Sequence, residues 1–179
     1  MSQSIPLDQQ LFPYFQPIIG IASGTIVGYE ALARQHNAEG KTISAGHLFH
    51  SHHISDEQKI AWDRNLRYQA LEKFSQFPGK GYLALNISPS WIDSVDDPNK
   101  LPTLEMLNDF NLDKSRIIIE LTETKGDLHK LAEIVKVYRH HGLQVAIDDF
   151  GAGYSQLDRV IAIRPDIIKT GHAFVQASQ

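Results

Sequence analysis

The spacing of apolar positions changes along the chain. Residues 15–21 and 25–32 are apolar, β-prone runs separated only by Ala22-Ser23-Gly24. A connection that short joins antiparallel strands. Residues 44–53 then read as a helix. Ser55-Asp56-Glu57-Gln58 has the spacing of a capping box, a serine cap with glutamine three positions on. The helix it opens carries Ile60, Ala61, Ala70, Leu71 and Phe74, and is expected to stop before Pro78-Gly79.

Beyond that point strand and helix patterns alternate. Residues 82–87 read as a strand, residues 91–107 as a longer connection with helical turns around 102–110, and residues 116–121 as the next strand. Leu128, Leu131, Ile134, Val135 and Tyr138 recur at helical spacing, with Gly142 placed just past the helix end. Residues 144–147 give a further strand, Leu157, Val160 and Ile161 a helix, and residues 166–169 a last strand. Repeated strand–helix units imply parallel strands covered by helices. The expected fold is α/β, with an antiparallel opening pair and then a parallel series, about six strands in all. One domain is expected over residues 11–179, behind a polar lead-in at 1–10.

Composition narrows the functional classes. A hydrophobic fraction of 42% and a charged fraction of 21% suit a folded globular domain. The absence of cysteine excludes disulfides, thiolate-bound zinc, iron–sulfur clusters and a thiol nucleophile. Seventeen Lys plus Arg against 21 Asp plus Glu give a net charge of −4, which argues against duplex DNA as a partner. No run approaches the roughly 20 apolar residues of a membrane helix. The first ten residues lack an apolar signal core, so a cytoplasmic location is expected.

In α/β barrels the chemistry stands at the C-terminal ends of the strands. Here those ends carry Glu30, Asn86, Glu120 with Glu123 beyond it, Asp148-Asp149, and Lys169. Each alone could be a solvated loop or turn residue. Together the carboxylates and the amide supply the oxygen ligands that hard divalent cations prefer. Crowded carboxylates without a cation raise one another's pKa, so a metal site explains the set economically. The clustered His47, His50, His52 and His53 have no acidic neighbours among them and read as an exposed face. Trp62 and Trp91 read as packing residues, and His140-His141 as a structural pair at a helix C-terminus.

These residues lie in segments that resemble the EAL domains, the bacterial cyclic di-GMP phosphodiesterases. The signature is Tyr29-Glu30-Ala31-Leu32-Ala33-Arg34. Phe15-Gln16-Pro17-Ile18, Asn86-Ile87-Ser88-Pro89, Glu120-Leu121-Thr122-Glu123, the run from Asp148-Asp149-Phe150-Gly151 to Tyr154-Ser155, and Asp166-Ile167-Ile168-Lys169 match in the family's order. The resemblance implies a TIM-type (β/α) barrel and a two-metal Mg²⁺ or Mn²⁺ site. It implies that Glu30, Asn86, Glu120, Asp148 and Asp149 hold metal. Lys169, Asp149 and Glu123 are the catalytic candidates, and Gln16 and Arg34 the substrate contacts. It further implies hydrolysis of cyclic di-GMP to linear pGpG, and a homodimer formed through the loop from Asp149 to Leu157.

Two departures stand beside the match. Gly171 occupies the place where the family has an aspartate two residues after the lysine. The last two βα units of an eight-stranded barrel are not found, so the expected barrel is incomplete. These leave an alternative: a module that binds cyclic di-GMP or a protein partner without hydrolysing it.

Overall fold

The computed structural model describes residues 11–87, 95, 97–98, 100–121, 127–150 and 156–170, with backbone alone at 149, 156–159 and 170. The chain runs β1 (Phe12–Ile19), β2 (Ile26–His36), β3 (Thr42–Ser44), α1 (Gly46–His50), α2 (Asp56–Ser75), β4 (Tyr82–Ile87) and α3 (Pro102–Leu107). A 3₁₀ turn (Lys114–Arg116) leads into β5 (Ile117–Leu121). Then come α4 (Leu128–His140), β6 (Gln144–Phe150), α5 (Gln156–Ile163) and β7 (Ile167–Thr170).

The local signals act as their chemistry demands. Ser55 caps α2 by accepting from the Gln58 N–H at 3.3 Å. Asp127 caps α4, and Gly142 follows that helix with φ of 87°, a conformation that favours glycine. The expected helix over 44–53 is shorter than its pattern. Thr42–Ser44 instead pairs antiparallel with β2 as a seventh strand. An Asn37 turn makes that strand: its Oδ1 accepts from the Glu39 and Lys41 N–H groups, and Gly40 takes φ of 77°. A three-residue strand made by tertiary pairing carries too little periodicity to read beforehand.

Among the described residues one sheet holds all seven strands, in the order β1-β2-β4-β5-β6-β7, with β3 paired to the far part of β2. β1 and β2 are antiparallel, and β2, β4, β5, β6 and β7 are parallel neighbours. The two faces are chemically distinct because side chains alternate. Leu83, Leu85, Ile87, Ile117, Ile119, Leu121, Val145 and Ile147 form one face and pack under Leu71, Phe74, Leu104, Ile134, Val135 and Tyr138 from the helices. The other face carries a smaller apolar cluster, Ala84, Ile118 and Ala146, with Ile18, Tyr82 and Ile167 against it.

A polar tie crosses the helix layer. Arg67 Nη2 donates to Asp63 Oδ2 at 2.7 Å, Arg67 Nη1 donates to Thr103 Oγ1, and the Tyr138 hydroxyl donates to the same oxygen at 3.3 Å. It links α2, α3 and α4 through groups that are all buried, where losing one partner costs more than the net worth of the pair. Trp62 packs edge-on to Phe49, as expected of a packing residue. His47, His50, His52 and His53 are exposed, and Trp91 lies outside the described residues. No described helix is long and apolar enough to cross a membrane.

Gly28 fits tightly against its neighbour. A Cβ there would stand 2.4 Å from the Tyr82 ring, which covers it from the adjacent strand. Gly28→Ala is expected to cost about 1–3 kcal/mol through overpacking, read by urea denaturation. Adding Tyr82→Ala should recover much of that loss, because the clash partner is then gone.

Candidate metal centre

Register places the polar residues before any side chain is considered. Glu30 stands level with Ala84, two residues short of Asn86. Asn86 is level with Glu120, and Glu120 with Ala146, two short of Asp148. Ala146 is level with Ile167, two short of Lys169. All five therefore share the face of Ala84, Ile118 and Ala146. The offset is four residues over four strand steps. An eight-stranded barrel with a shear of about 8 has that stagger, one residue per strand. Residues offset along the ladder thereby reach one height along the barrel axis.

The side chains converge. Lys169 Nζ lies 2.7 Å from Glu30 Oε2, 2.9 Å from Glu120 and 3.5 Å from Asp148 Oδ1. Asn86 Nδ2 donates to Glu30 Oε1 at 2.9 Å. One oxygen from each of Glu30, Glu120 and Asp148 falls within 4.8 Å of the others. Among the described residues this is the one group of three such side chains close enough to share a cation.

Burial sets the electrostatics. Glu120 is 1% exposed. Desolvation, with the Glu30 and Asp148 charges adding and Lys169 opposing, pushes its carboxyl up to about 7. Desolvation alone would depress Lys169, but Glu120 and Glu30 outweigh it and raise the ammonium above its ordinary value. Three carboxylates thus face one ammonium, leaving the cluster formally two charges negative. Carboxylate and amide oxygens with surplus negative charge are what Mg²⁺ or Mn²⁺ takes, so the residues present fit such an ion.

The remaining candidates divide. Gln16 is directly opposite Glu30 on β1 and exposed. Arg34 lies on the same face four residues beyond Glu30 on β2, and its Nη1 donates to the Ala33 carbonyl at 2.9 Å. Glu123 and the Asp149 side chain lie outside the described residues, as does most of the segment from Asp149 to Leu157. Sequence reasoning passed over Tyr82, whose ring lies on the site's face of the sheet. Burial and the Glu120 charge raise its hydroxyl pKa. A tyrosine opening a strand looks like an ordinary strand former; Gly28 on the neighbouring strand was the available signal.

A family model for the EAL domain matches residues 2–179. The EAL-domain-containing protein YkuI of Bacillus subtilis is 28% identical over 181 residues, covering 97% of this chain and 44% of that protein. RocR of Pseudomonas aeruginosa, a cyclic di-GMP phosphodiesterase, is 31% identical over 172 residues, covering 91% of this chain and 42% of its own. The crystal structure of YkuI with cyclic di-GMP and calcium has a TM-score of 0.81 at 27% identity, over 94% of this chain and 42% of that one. The manganese and cyclic di-GMP complex of Klebsiella pneumoniae BlrP1 has a TM-score of 0.75 at 29% identity, over 97% and 43%. The chain spans less than half the length of these relatives. Its curled, helix-covered sheet is a TIM-type barrel with an antiparallel first strand, incomplete over the described residues.

Glu120 predicts a pH dependence. Its folded-state pKa is raised, so its contribution is full below the unfolded value near 4.5 and is lost as pH rises through about 7. The metal-free chain should lose thermal stability across that window, read by circular dichroism with chelator present. Glu120→Gln should flatten the slope.

Proposed function

The chain belongs to the EAL domain family, and from that premise we propose that it hydrolyses cyclic di-GMP to linear pGpG with the help of bound divalent cations. The observation that carries this reading is the meeting of Lys169 with Glu30, Glu120 and Asp148 at one end of the barrel strands. The named activity of RocR and the nucleotide in the YkuI and BlrP1 complexes support the choice of substrate.

In this account Glu30, Asn86, Glu120, Asp148 and Asp149 hold two Mg²⁺ or Mn²⁺ ions. Bound there, such ions lower the pKa of a water and neutralise charge on the phosphoryl oxygens. Hydrolysis adds the water oxygen to phosphorus and breaks the bond from phosphorus to one 3′ oxygen, which leaves with a proton. Lys169, whose ammonium ordinarily stays protonated well above neutral pH, acts as a donor to developing negative charge rather than as a base. Asp149 and Glu123 are the further catalytic candidates. Arg34 offers a planar fork to a phosphate, and Gln16 an amide to the nucleotide. Ala84, Ile118 and Ala146 form a buried apolar layer on the same face. The segment from Asp149 to Leu157 is the proposed homodimer contact, and the cytoplasm the proposed site of action.

The second reading, binding without hydrolysis, is favoured by one feature: Gly171 in place of the family's aspartate. Incubating the chain with cyclic di-GMP and Mn²⁺ separates the two. Release of pGpG, seen by chromatography and abolished by chelator or Glu30→Ala, is the expected outcome. Binding by calorimetry without product would select the second reading.

Lys169→Ala is expected to lower kcat by about 10²–10³-fold, the usual loss when an electrostatic donor is removed. Steady-state kinetics would check it. An unchanged kcat would remove Lys169 from the chemistry.

A further inference from the structure

Lys169 faces the carboxylates only if β7 keeps its register. That strand is four residues long, stands at the end of the sheet order, and among the described residues pairs with β6 alone. Its pairs are Ala146 with Ile167, Ile147 with Ile168, and Phe150 with Thr170, with an irregularity between Ile147 and Phe150. A slip of one residue would turn Lys169 to the opposite face. Hydrophobic patterning does little to prevent it. Ile167 and Ile168 put the same side chain on both faces, and Ile168 is 46% exposed.

A polar clamp stands at the foot of the strand. The Asp166 N–H donates to the Val145 carbonyl at 2.8 Å, and Asp166 Oδ2 accepts from the Val145 N–H at 2.9 Å. This reciprocal pair ties the entry of β7 to the start of β6. Arg139, in the last turn of α4, holds the same carboxylate, with Nε and Nη2 each 3.2 Å from Asp166 Oδ2. Its Nη1 also donates to the Ile163 carbonyl at 2.9 Å, and its Nη2 to the Arg164 carbonyl. Arg164 has φ of 49° and precedes Pro165, a conformation that a non-glycine residue before proline rarely adopts. One guanidinium therefore joins the end of α5, a strained turn and the start of β7.

We propose that Arg139 and Asp166 are positioning residues for Lys169: their clamp fixes the register of β7 and so keeps the ammonium between Glu30 and Glu120. The inference rests on Lys169 belonging to the functional site, but its test needs neither substrate nor turnover.

The full chain is treated with acetic anhydride in the absence of added metal, and acetylation at each lysine is read by mass spectrometry. Lys59, buried on α2 and paired with Asp56, reports global folding. Arg139→Ala and Asp166→Ala are expected to raise labelling of Lys169 about fivefold or more, as local opening does, with Lys59 unchanged. Arg139→Lys, which returns a cation beside Asp166, should recover part of the protection. Unchanged Lys169 labelling in both alanine variants would overturn the proposal. If those variants also expose Lys59, Asp166→Asn decides, since it keeps an oxygen for the Val145 N–H and drops only the charge. Raised labelling of Lys169 in that variant, with Lys59 protected, supports the clamp; unchanged labelling refutes it. A chain that fails to hydrolyse cyclic di-GMP would leave these labelling results unaffected, so the two readings fail separately.

Discussion

Lys169 and Glu30 come from strands four places apart in the sheet, yet their charged groups meet at 2.7 Å. Strands stand about 4.8 Å apart, so a flat sheet would hold β7 and β2 about 19 Å from each other, farther than the two side chains together can reach. The sheet must curl, and the curl must go toward the face that carries the small residues Ala84 and Ala146. The outer face is what drives it. Bulky Leu and Ile side chains there pack beneath α2, α3, α4 and α5, and that burial is the main favourable term available to the fold. The ion cluster depends on the curl and also weighs against it, because crowding Glu120 with Glu30 and Asp148 is unfavourable until positive charge arrives. Lys169 supplies one charge. A divalent cation would supply the rest.

Much of this was legible in the sequence because the two faces of each central strand differ so plainly. Leu83-Ala84-Leu85-Asn86-Ile87 alternates large apolar with small or polar, and Ile117-Ile118-Ile119-Glu120-Leu121 ends the same way. Polar residues that recur at strand ends, one per strand, point to a shared site even before the strands are known to curl. The capping residues Ser55 and Asp127 and the glycine at 142 carry their own local chemistry, so the helices they bound were readable too.

What escaped reading has a common physical origin. β3 exists because β2 offers it an edge, and a three-residue strand has no periodicity of its own. The Gly28–Tyr82 contact joins neighbouring strands whose register is set by the whole sheet. The Arg139–Asp166 clamp joins a helix end to a strand entry 27 residues away. The Asp63–Arg67–Thr103–Tyr138 tie is similar: a four-residue spacing on α2 suggests the first pair, but nothing local predicts that Thr103 receives both the guanidinium and the phenol. Contacts of that kind are decided by tertiary geometry.

The central claim is that the inward carboxylates of β2, β5 and β6 form a divalent-cation site in which Lys169 now stands. Anomalous diffraction from crystals of the chain grown with manganese tests it most directly. The account predicts an anomalous peak among the Glu30, Glu120 and Asp148 oxygens, with Lys169 displaced from its contacts with Glu30 and Glu120 by the like-charged cation. Manganese found only elsewhere, such as at the exposed histidines of α1, with Lys169 still paired to Glu30 and Glu120, would contradict it.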